Sequence, residues 1–383
     1  MKKYRRIGDL VDLIDERNKD EKVKTLIGVS IDKCFIKSVA NTIGTDLSKY
    51  QVIRKFDFAC SLMQVSRDGK IPIACLKDYD EAIMSPAYYI FRIKNTEEIL
   101  PDYMAMWFMR PEFDREASYI AVGGVRGSMP WEDFCDMKLP VPDIKEQQKI
   151  VDTYNAITNR IQIKQKINEN LEKTALLQIE ELLENPNTKK RTIKIGDICD
   201  VKGGKRLPLG SDLIEQKNSH PYIRIRDLKD SCYVVLNDDF LYIDDETQQE
   251  IARYITNTND LLISIVGTIG LTSIVHSSLN NANLTENCVK LTNMKELSPE
   301  YVLMYLRTKS GQKAISQATV GAVQAKLPLK NVQNLDIQYF DDEQMKEINL
   351  LLKNSFKLIS CNIEEIIKLN TLRNGIVSQI SKR

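Results

Sequence analysis

The segment VGGVRGSMPW, which spans Val122–Trp131, returns as VGAVQAKLPL at Val320–Leu329. The two copies begin 198 positions apart, and Pro101–Met104 returns as Pro299–Val302 at the same interval. A period of this length lies far outside the roughly 20–50 residues of solenoid repeats. The chain is therefore a duplicated domain, and two similar domains suggest a ligand with two similar ends.

The beginning of each half repeats as well, at a slightly different interval. Ile7–Leu10 (IGDL) matches Ile195–Ile198 (IGDI) after 188 positions, which means that loops differ in length between the copies. Each repeated block is followed by a Glu-Gln pair, Glu146–Gln147 and then Glu343–Gln344, and by a long helical pattern. The duplicated segment is therefore a domain together with a helix.

The composition is that of ordinary soluble domains with hydrophobic cores. The 383 residues are 43% apolar and 28% charged, and this length predicts two domains of about 150 residues each plus linking elements. The net charge of +1 argues against a uniformly basic nucleic-acid binder. Local basic patches that neutralise phosphates are compatible with it.

The sequence has no metal-ligand spacing and no membrane-spanning pattern. Its eight cysteines are scattered without a Cys-x-x-Cys pair, and its two histidines are His220 and His276, so we expect buried free thiols in a reducing compartment and no metal site. The N-terminus is basic, but Asp9, Asp12 and Asp15 interrupt any apolar signal-peptide core that would follow it. No apolar run approaches the roughly 18 residues of a membrane span, so we expect a cytoplasmic protein.

Each half has the pattern of a mixed α/β (α+β) domain. Runs rich in β-branched and aromatic residues predict strands at Thr25–Ile31, Ile71–Leu76, Tyr88–Ile93, Tyr222–Ile225, Cys232–Leu236, Leu261–Val266 and Asn287–Leu291. Pro101 predicts the start of a short helix over 102–109, because proline is favoured in the first helical turn. Pro140–Pro142 is expected to close the first domain, since prolines interrupt strands and helices alike.

Two long helices follow the two domains, each of about 40 residues and so about 60 Å long. Their apolar residues recur at alternating intervals of three and four. The predicted stripes consist of Ile150, Tyr154, Ile157, Ile161, Lys164, Asn168, Leu171, Ala175, Gln178 and Leu182, and of Met345, Ile348, Leu352, Ser355, Ile359, Asn362, Ile366, Leu369, Arg373, Ile376 and Ile380. Two such helices can bury their stripes against each other, and polar residues in the seam would fix its register.

A basic segment that contains glycines lies near the start of the second domain. Lys202, Lys205 and Arg206 flank Gly203–Gly204. Glycines let backbone N–H groups approach a partner closely, while lysine and arginine neutralise phosphates. The segment is a candidate DNA contact, although a solvated charged surface would have the same composition.

Further cations occur in a predicted strand and in a predicted turn. Tyr222, Arg224 and Arg226 follow the basic segment, and strand alternation would place both arginines on one face, where they suit two guanines or two phosphates. In the first domain the corresponding candidates are Arg67 and Lys70, in the turn that contains Gly69. A solvated face explains these charges as well, so both interpretations stay open.

The repeated loop itself changes its polar residues between the copies. The first copy has Arg126 and Ser128, and the second has Gln324 and Lys326. Arginine suits the edge of guanine and glutamine that of adenine. A constant loop with different polar residues is what two related readers of different sequences need, although drift of surface residues explains the difference equally well.

Patterns that would indicate catalysis are incomplete. Ser85–Tyr88 is similar to the Ser-Pro-Pro-Tyr motif of amino-methyltransferases, but alanine replaces the second proline and no glycine-rich cofactor loop precedes it. Pro101–Asp102 and Asp136–Lys138 are similar to a nuclease motif, but the second copy has Glu300 and Asp336 in place of Asp102 and Lys138. A phosphate-binding loop of the form G-x-x-x-x-G-K-[ST] is absent from the sequence.

The order of these motifs resembles the DNA-specificity subunit of type I restriction–modification enzymes, over the whole chain. The motifs that carry the resemblance are Ile7–Leu10, Pro140–Pro142, Glu146–Gln147, Ile195–Ile198, Lys202–Pro208, Tyr222–Leu228 and Glu343–Gln344. Two departures are that Phe340–Asp342 lacks the Pro-x-Pro pattern and that the first domain has no match to Lys202–Pro208.

The resemblance implies target-recognition domains at 1–142 and 186–340, each reading one half of a split site in double-stranded DNA. It implies conserved spacer helices at 143–185 and 341–383, packed as an antiparallel coiled coil with pseudo-twofold symmetry. It further implies a non-catalytic chain without its own cofactor. Two methyltransferase subunits with S-adenosylmethionine, and two restriction subunits with ATP and Mg, would be its partners.

Two other classes of protein remain open at this stage. One is a stand-alone DNA methyltransferase or nuclease with a degenerate active site, which S-adenosylmethionine binding by the isolated chain would support. The other is a coiled-coil scaffold without nucleic-acid function, which would shift no DNA duplex in a gel. The target bases and the spacer length do not follow from the sequence, because readout depends on loop conformation and on DNA shape.

Overall fold

The computed structural model describes residues 3–38, 45–122, 127–229, 231–321 and 324–380. The chain divides into two compact units, the first made of 1–161 and 367–383 and the second made of 162–366. Each unit therefore contains one α/β domain together with a segment of each long helix.

The first domain is built from short strands and short helices. Its strands are β1 (Lys3–Arg6), β2 (Val11–Ile14), β3 (Ile27–Val29), β4 (Phe35–Lys37), β5 (Gln51–Arg54), β6 (Phe58–Cys60), β7 (Ile73–Cys75), β8 (Glu81–Met84), β9 (Tyr89–Ile93) and β10 (Lys138–Val141). Its helices are α1 (Ile7–Leu10), α2 (Val65–Asp68), α3 (Pro101–Phe108), α4 (Pro111–Ile120) and α5 (Trp131–Asp136), and the long helix α6 (Ile144–Glu184) follows.

The central sheet of the first domain has the strand order β2-β9-β6-β7, and each neighbouring pair is antiparallel. Its buried face carries Phe58 and Phe91, whose stacked rings have centroids 5.2 Å apart. Phe108, Phe113 and Phe134 from α3, α4 and α5 cover this face and are almost completely buried. Burial of each such side chain contributes about 1.5–3 kcal/mol, so this cluster holds the three helices on the sheet.

The second domain has the same kinds of elements. Its strands are β11 (Lys190–Lys194), β12 (Asp200–Gly203), β13 (Pro221–Ile223), β14 (Tyr233–Val234), β15 (Leu241–Tyr242), β16 (Leu261–Ser264), β17 (Thr272–Val275), β18 (Asn283–Leu284), β19 (Cys288–Thr292) and β20 (Asp336–Phe340). Its helices are α7 (Ile195–Ile198), α8 (Asp245–Ile251), α9 (Pro299–Arg307), α10 (Lys309–Ala318) and α11 (Leu329–Gln333), and the long helix α12 (Asp342–Gln379) follows.

The second domain repeats the central sheet of the first. Its main sheet has the order β12-β19-β16-β17-β14, in which the first four strands correspond to β2-β9-β6-β7. The elements inserted between these strands differ. The first domain has the two ribbons β3–β4 and β5–β8, whereas the second has a three-stranded sheet of order β15-β13-β18. These insertions account for the unequal repeat intervals in the sequence.

The ribbon at the edge of each domain has the same register in both copies. Arg6 lies opposite Lys138 in the pair β1–β10, and Lys194 lies opposite Asp336 in the pair β11–β20. Arg6 and Lys194 are 188 positions apart, and Lys138 and Asp336 are 198 apart. These are the two intervals found in the sequence, so the duplication is preserved residue by residue in the strand pairing.

The ribbon is fixed to each domain by an equivalent hydrogen bond. The hydroxyl of Tyr103 donates to the carbonyl of Pro140 at 3.1 Å, and the hydroxyl of Tyr301 donates to that of Gln338 at 2.7 Å. Pro140 therefore lies within β10 instead of interrupting it, and the strand ends at Val141. A two-stranded ribbon tolerates proline because one side of each strand makes no ladder hydrogen bonds.

The long helices run antiparallel within the second unit. The strand β11 follows the end of α6 and pairs with β20, which directly precedes α12, so the end of α6 and the start of α12 lie together. Further along, the ammonium of Lys164 donates to Oδ1 of Asn362 at 2.9 Å and pairs with Glu365 at 2.7 Å. Asn362 in turn donates to Asn168 at 2.8 Å, which confirms the polar seam.

The first unit contains the other ends of the same helices. Val151, near the start of α6, belongs to the core of the first domain together with Val377, in the last turn of α12, and Ile380, which follows that helix. The predicted class, two mixed α/β domains with two long helices in an internal repeat, is therefore confirmed.

One part of the predicted stripe of α6 is wrong. Near the end of this helix the buried residues are Ala175, Ile179 and Leu183, whereas Gln178 is exposed and Leu182 is only half-buried. This end of α6 packs against the core of the second domain as well as against α12. Because this end of the helix contacts two partners, its buried face is shifted and wider than the stripe expected for packing against α12 alone.

The repeated Glu-Gln pair is not structurally equivalent in the two copies. Gln147 is fully buried and makes three hydrogen bonds of 2.9 Å, with backbone groups of residues 98–100 and with the carbonyl of Pro142. The position 198 residues later is Met345, an apolar core residue. The pair Glu343–Gln344 starts one position earlier than the 198-residue interval predicts. The three hydrogen bonds of Gln147 therefore have no counterpart at the equivalent position of the second domain.

The cysteines are free, as predicted, but they are not all buried, since Cys34 and Cys361 are exposed. Burial raises the pKa of the Cys199 thiol to about 12. The described part of the chain holds no group of three or more His, Cys, Asp or Glu side chains placed to bind a metal ion. It also holds no helix long and apolar enough to cross a membrane.

Candidate nucleic-acid interface

The basic segment of the second domain is held against the loop that precedes β19. The N–H of Gly204 donates to the carbonyl of Cys288 at 3.0 Å, and the N–H of Lys205 donates to that of Leu284 at 2.8 Å. A Cβ on Gly204 would lie only 2.0 Å from the carbonyl oxygen of Thr285. Glycine is therefore required at 204, where it lets two backbone segments meet and fixes the cations that follow.

An open concavity in the second domain gathers four of the twelve predicted DNA-binding residues. It is lined by Arg206, Leu207, Leu213, Tyr222, Arg224, Ile225, Arg226, Thr285, Glu286 and Asn287. Tyr222 links its parts, because the hydroxyl donates to the carbonyl of Lys205 at 2.8 Å while the ring forms a buried cluster with Leu207. The concavity presents arginine, carboxylate and amide groups together, which are the groups that contact phosphates and base edges.

Arg206 lies at the rim of this concavity with 81% of its side chain exposed. Its Nε is 2.8 Å from Glu286. Burial acts to raise the pKa of Glu286, but hydrogen bonds from Arg206, from the backbone and from Thr285 together hold that pKa below its usual value. Both groups are therefore charged at neutral pH, and a phosphate would compete with Glu286 for the guanidinium.

Arg224 and Arg226 do not lie on one strand face, and that expectation is wrong. The strand β13 ends at Ile223, and Ile225–Asp227 forms a 3₁₀ turn. Arg224 donates to both carboxylate oxygens of Asp227 at 2.8 Å, and only 13% of its side chain is exposed. Arg226 is exposed, so of the two it is the one placed to meet a ligand.

The other two predicted cations of the basic segment lie beside the concavity. Lys202 is exposed on β12 and pairs with Asp200 at 3.1 Å. Lys205 is exposed as well, and its ammonium lies 5.8 Å from the centroid of the Tyr254 ring. Because both side chains are exposed, both ammonium groups stay accessible to phosphates.

The repeated loop of the second domain is closed by a pair of backbone hydrogen bonds. Val320 and Lys326 exchange bonds of 2.8 and 2.9 Å, and the N–H of Leu327 donates to the carbonyl of Ile265 at 2.9 Å. Gln324 and Lys326 are exposed. The loop is thereby fixed to the segment that leaves β16.

The loop and the concavity border on one another. Lys326 bridges to Val266, and a Cβ on the adjacent Gly267, at φ +73°, would lie 3.6 Å from the side chain of Ile225. Ile225 lines the concavity. The basic rim, the 3₁₀ turn and the repeated loop thus lie next to one another on one surface of the second domain.

Acidic residues limit this surface on one side. Gly210 adopts φ +89° in a turn closed by the Ser211 N–H and the Pro208 carbonyl at 3.1 Å. Beyond it lies a cleft lined by Asp212, Asp244, Glu246 and Glu250. Carboxylates repel phosphates, so a nucleic acid would be directed toward the arginine side of the turn.

The first domain carries an equivalent loop next to its basic turn. The N–H of Met129 donates to the carbonyl of Leu62 at 2.9 Å, as that of Leu327 does in the second domain. Gly127, at φ +74°, lies so close to Ser66 that a Cβ would be 2.3 Å from its hydroxyl. The half-buried Ser128 follows, so this loop lies against α2.

The basic turn at the end of α2 is exposed. Arg67 pairs with the neighbouring Asp68 at 2.9 Å, with 64% of its side chain exposed. Gly69 ends the helix at φ +67°, and the exposed Lys70 follows. Three of the four candidates in this domain, Arg67, Lys70 and Ser128, therefore come together, and Arg126 lies outside the described residues.

A buried ion pair supports this turn, and no sequence motif predicted it. The ammonium of Lys33 lies 2.8 Å from Oδ1 of Asp114, which also accepts the N–H of Ile71 at 3.1 Å. Burial lowers the pKa of Lys33, and Asp114 opposes this shift. The contact joins residues 81 positions apart in the chain, so only the folded structure brings them together.

Comparison with known proteins identifies the family. The family model described as "Type I restriction modification DNA specificity domain" matches residues 2–173 and 187–371. The Type I restriction enzyme MjaVIII specificity subunit of Methanocaldococcus jannaschii is 30% identical over 148 residues, which are 38% of this chain and 35% of that protein. The MjaIX specificity subunit of the same organism is 20% identical over 327 residues, which are 79% of this chain and 69% of that protein.

A solved structure has the same fold. The crystal structure of a type I restriction-modification system S subunit from M. genitalium aligns with 99% of this chain and 95% of its own, with a TM-score of 0.56 and 14% sequence identity. The alignment with MjaVIII spans about a third of that relative's length, whereas the two family matches together span nearly all of this chain. The chain therefore belongs to the type I restriction–modification DNA-specificity family and carries the family's domain twice.

Proposed function

We propose that this chain is the DNA-specificity subunit of a type I restriction–modification complex, and that it binds a split site in double-stranded DNA. The observation that carries the proposal is the repeated loop, which both domains anchor through an equivalent backbone hydrogen bond, at Met129 and at Leu327. In each domain it lies beside an exposed basic element. Equivalent surfaces with different polar side chains suit two half-sites of different sequence.

Within the second domain we assign the phosphate contacts to the exposed cations Lys202, Lys205, Arg206 and Arg226. Gln324 and Lys326 on the repeated loop are assigned to base edges or to the adjacent backbone. Arg224 holds the 3₁₀ turn through Asp227 and positions Arg226. In the first domain Arg67 and Lys70 are the corresponding phosphate contacts, and Arg126 and Ser128 are the corresponding loop residues.

We further propose that the chain is non-catalytic and acts by positioning partner subunits. Two methyltransferase subunits with S-adenosylmethionine, and two restriction subunits with ATP and Mg, would carry the chemistry. The helices α6 and α12, of 41 and 38 residues, would fix the spacer between the half-sites. The antiparallel packing of their segments in the second unit supports this role, because its buried polar seam resists sliding.

The proposal is tested by selection from a randomised duplex pool with the chain reconstituted with its methyltransferase subunit. We expect enrichment of two short conserved blocks separated by an unspecified spacer of fixed length. A single conserved block, or no enrichment, would contradict the split site.

A domain exchange then tests whether the two readers are independent. Replacing residues 189–340 by the same segment of a relative should change one block and leave the other block and the spacer intact. Replacing residues 1–142 is the matched control and should change the opposite block. Alteration of both blocks by either exchange would contradict independent reading.

A further inference from the structure

Tyr119 is a prominently exposed aromatic residue in the last turn of α4. Its side chain is 82% exposed, and Val122, one turn further on, is 73% exposed. The N–H of Val122 donates to the carbonyl of Tyr119 at 3.3 Å, so the two belong to one turn. Single exposed apolar residues are common on protein surfaces, whereas adjacent ones that form a patch indicate a contact with a partner.

The end of α4 stands directly beside the basic turn of the first domain. Near its start, α4 is fixed by Asp114, which accepts the N–H of Ile71. At its end, the hydroxyl of Ser118 donates to the carbonyl of Val65 at 3.5 Å. The helix therefore lies along residues 65–71, and the exposed Tyr119 directly follows Ser118, which contacts the start of the segment that presents the exposed cations of this domain.

The second domain has an exposed polar residue at the same place. The helix α10 begins and ends 198 positions after α4, so Gln317 is the counterpart of Tyr119, and it is exposed. This helix also lies along the corresponding turn, because Nε2 of Gln312 donates to the carbonyl of Gly270 at 3.3 Å. The position thus keeps its surroundings while its side chain changes, as the repeated loop does.

We propose that this position is a DNA-contacting and specificity-determining site in both domains, occupied by Tyr119 in the first and Gln317 in the second. The ring of Tyr119 would pack against an apolar group in the groove, such as a thymine methyl, and glutamine suits the edge of adenine. A rigid aromatic side chain loses little conformational entropy on binding. The inference rests on the proposed function, and it adds to that function a DNA contact made by uncharged side chains.

The test measures binding of the reconstituted complex to the duplex selected by the wild-type chain, over a range of salt concentrations. Replacement of Tyr119 by alanine should weaken binding about tenfold, a typical cost for a lost base contact, and should leave the salt slope unchanged because no phosphate contact is lost. The affinity of Tyr119→Phe for the duplex should be within about twofold of wild type, since the ring remains. Gln317→Ala should relax base preference only in the other half-site.

Phe56 provides the matched control. It is an exposed aromatic residue of the same domain, 48% exposed, but it precedes β6, whereas the basic turn lies in the loop after that strand. Phe56→Ala should therefore bind like wild type. If Tyr119→Ala binds like wild type, if it is no weaker than Phe56→Ala, or if phenylalanine at 119 is as weak as alanine, the inference is wrong while the proposed function stands. A wild-type complex that selects no duplex would overturn both.

Discussion

Arg224 and Arg226 are two positions apart but have different surroundings. Arg226 is exposed, so Arg226→Ala should weaken binding to all duplexes alike and lower the salt slope by about one. Arg224→Ala should lower the free energy of unfolding by about 1–3 kcal/mol, because it leaves the carboxylate of Asp227 buried without this donor. Salt-dependent binding and urea unfolding of the two variants measure these effects.

The two variants serve as controls for each other. Arg226→Ala should unfold like wild type. The fraction of Arg224→Ala that stays folded should bind DNA with the wild-type salt slope. An Arg224 variant with normal stability and a lower salt slope would show that this guanidinium contacts phosphate instead of holding the turn.

At the scale of elements, α6 is fastened to the second domain by an ion pair. Arg307 lies 3.3 Å from Glu172 and also donates to the carbonyls of Ser231 and Thr272 at 2.7 and 2.6 Å. The side chains of Arg307 and Glu172 are only 13% and 16% exposed. Glu172→Gln should lower the free energy of unfolding by about 3 kcal/mol, because it leaves the arginine buried without its counter-charge.

A second ion pair between α6 and the same domain provides the control. Lys309 and Glu184 lie 3.4 Å apart with 81% and 68% of their side chains exposed. Exposed pairs contribute about 0–1 kcal/mol, so Glu184→Gln should have little effect on unfolding by urea. If both variants lose the same free energy of unfolding, the buried pair of Glu172 and Arg307 stabilises the attachment of α6 no more than the exposed pair of Glu184 and Lys309.

At the scale of the whole molecule, the duplicated domain predicts that this chain recognises DNA but does not itself catalyse a reaction on it. The purified chain with labelled S-adenosylmethionine should transfer no methyl group to DNA that contains its site. Addition of the methyltransferase subunit should restore transfer, because that subunit would supply the cofactor site. Mass spectrometry of adenine from the recovered DNA measures the outcome, and methylation by the chain alone would overturn the assignment.

The features that were predicted correctly depend on patterns that are local or repeated. The duplication, the long helices and the seam residues Lys164, Asn168 and Asn362 follow from periodic spacing, which a helix converts directly into a shared face. The strands β3, β7, β9, β13, β14, β16 and β19 were also predicted, although β3 and β14 are shorter than the apolar runs that contain them, and other strands such as β5, β8 and β17 were not predicted.

The features that were missed depend on contacts between distant residues. The strand β13 ends early because Asp227 holds the backbone and side chain of Arg224, an arrangement that the alternating pattern does not contain. The buried pair of Lys33 and Asp114 likewise has no local signature. Such contacts are specified by the folded chain as a whole, so they decide which predicted cations are available to DNA.

The contact between Lys164 and Asn362 distinguishes the two halves of the chain from each other. These residues are 198 positions apart, so each occupies the same place in its own half. If two copies of the first half paired in this way, lysine would face lysine, and the place of Glu365 would be taken by Ile167. Two ammonium groups would then share a partly buried seam without an acid. The seam therefore disfavours self-association of the first half and favours its pairing with a second half.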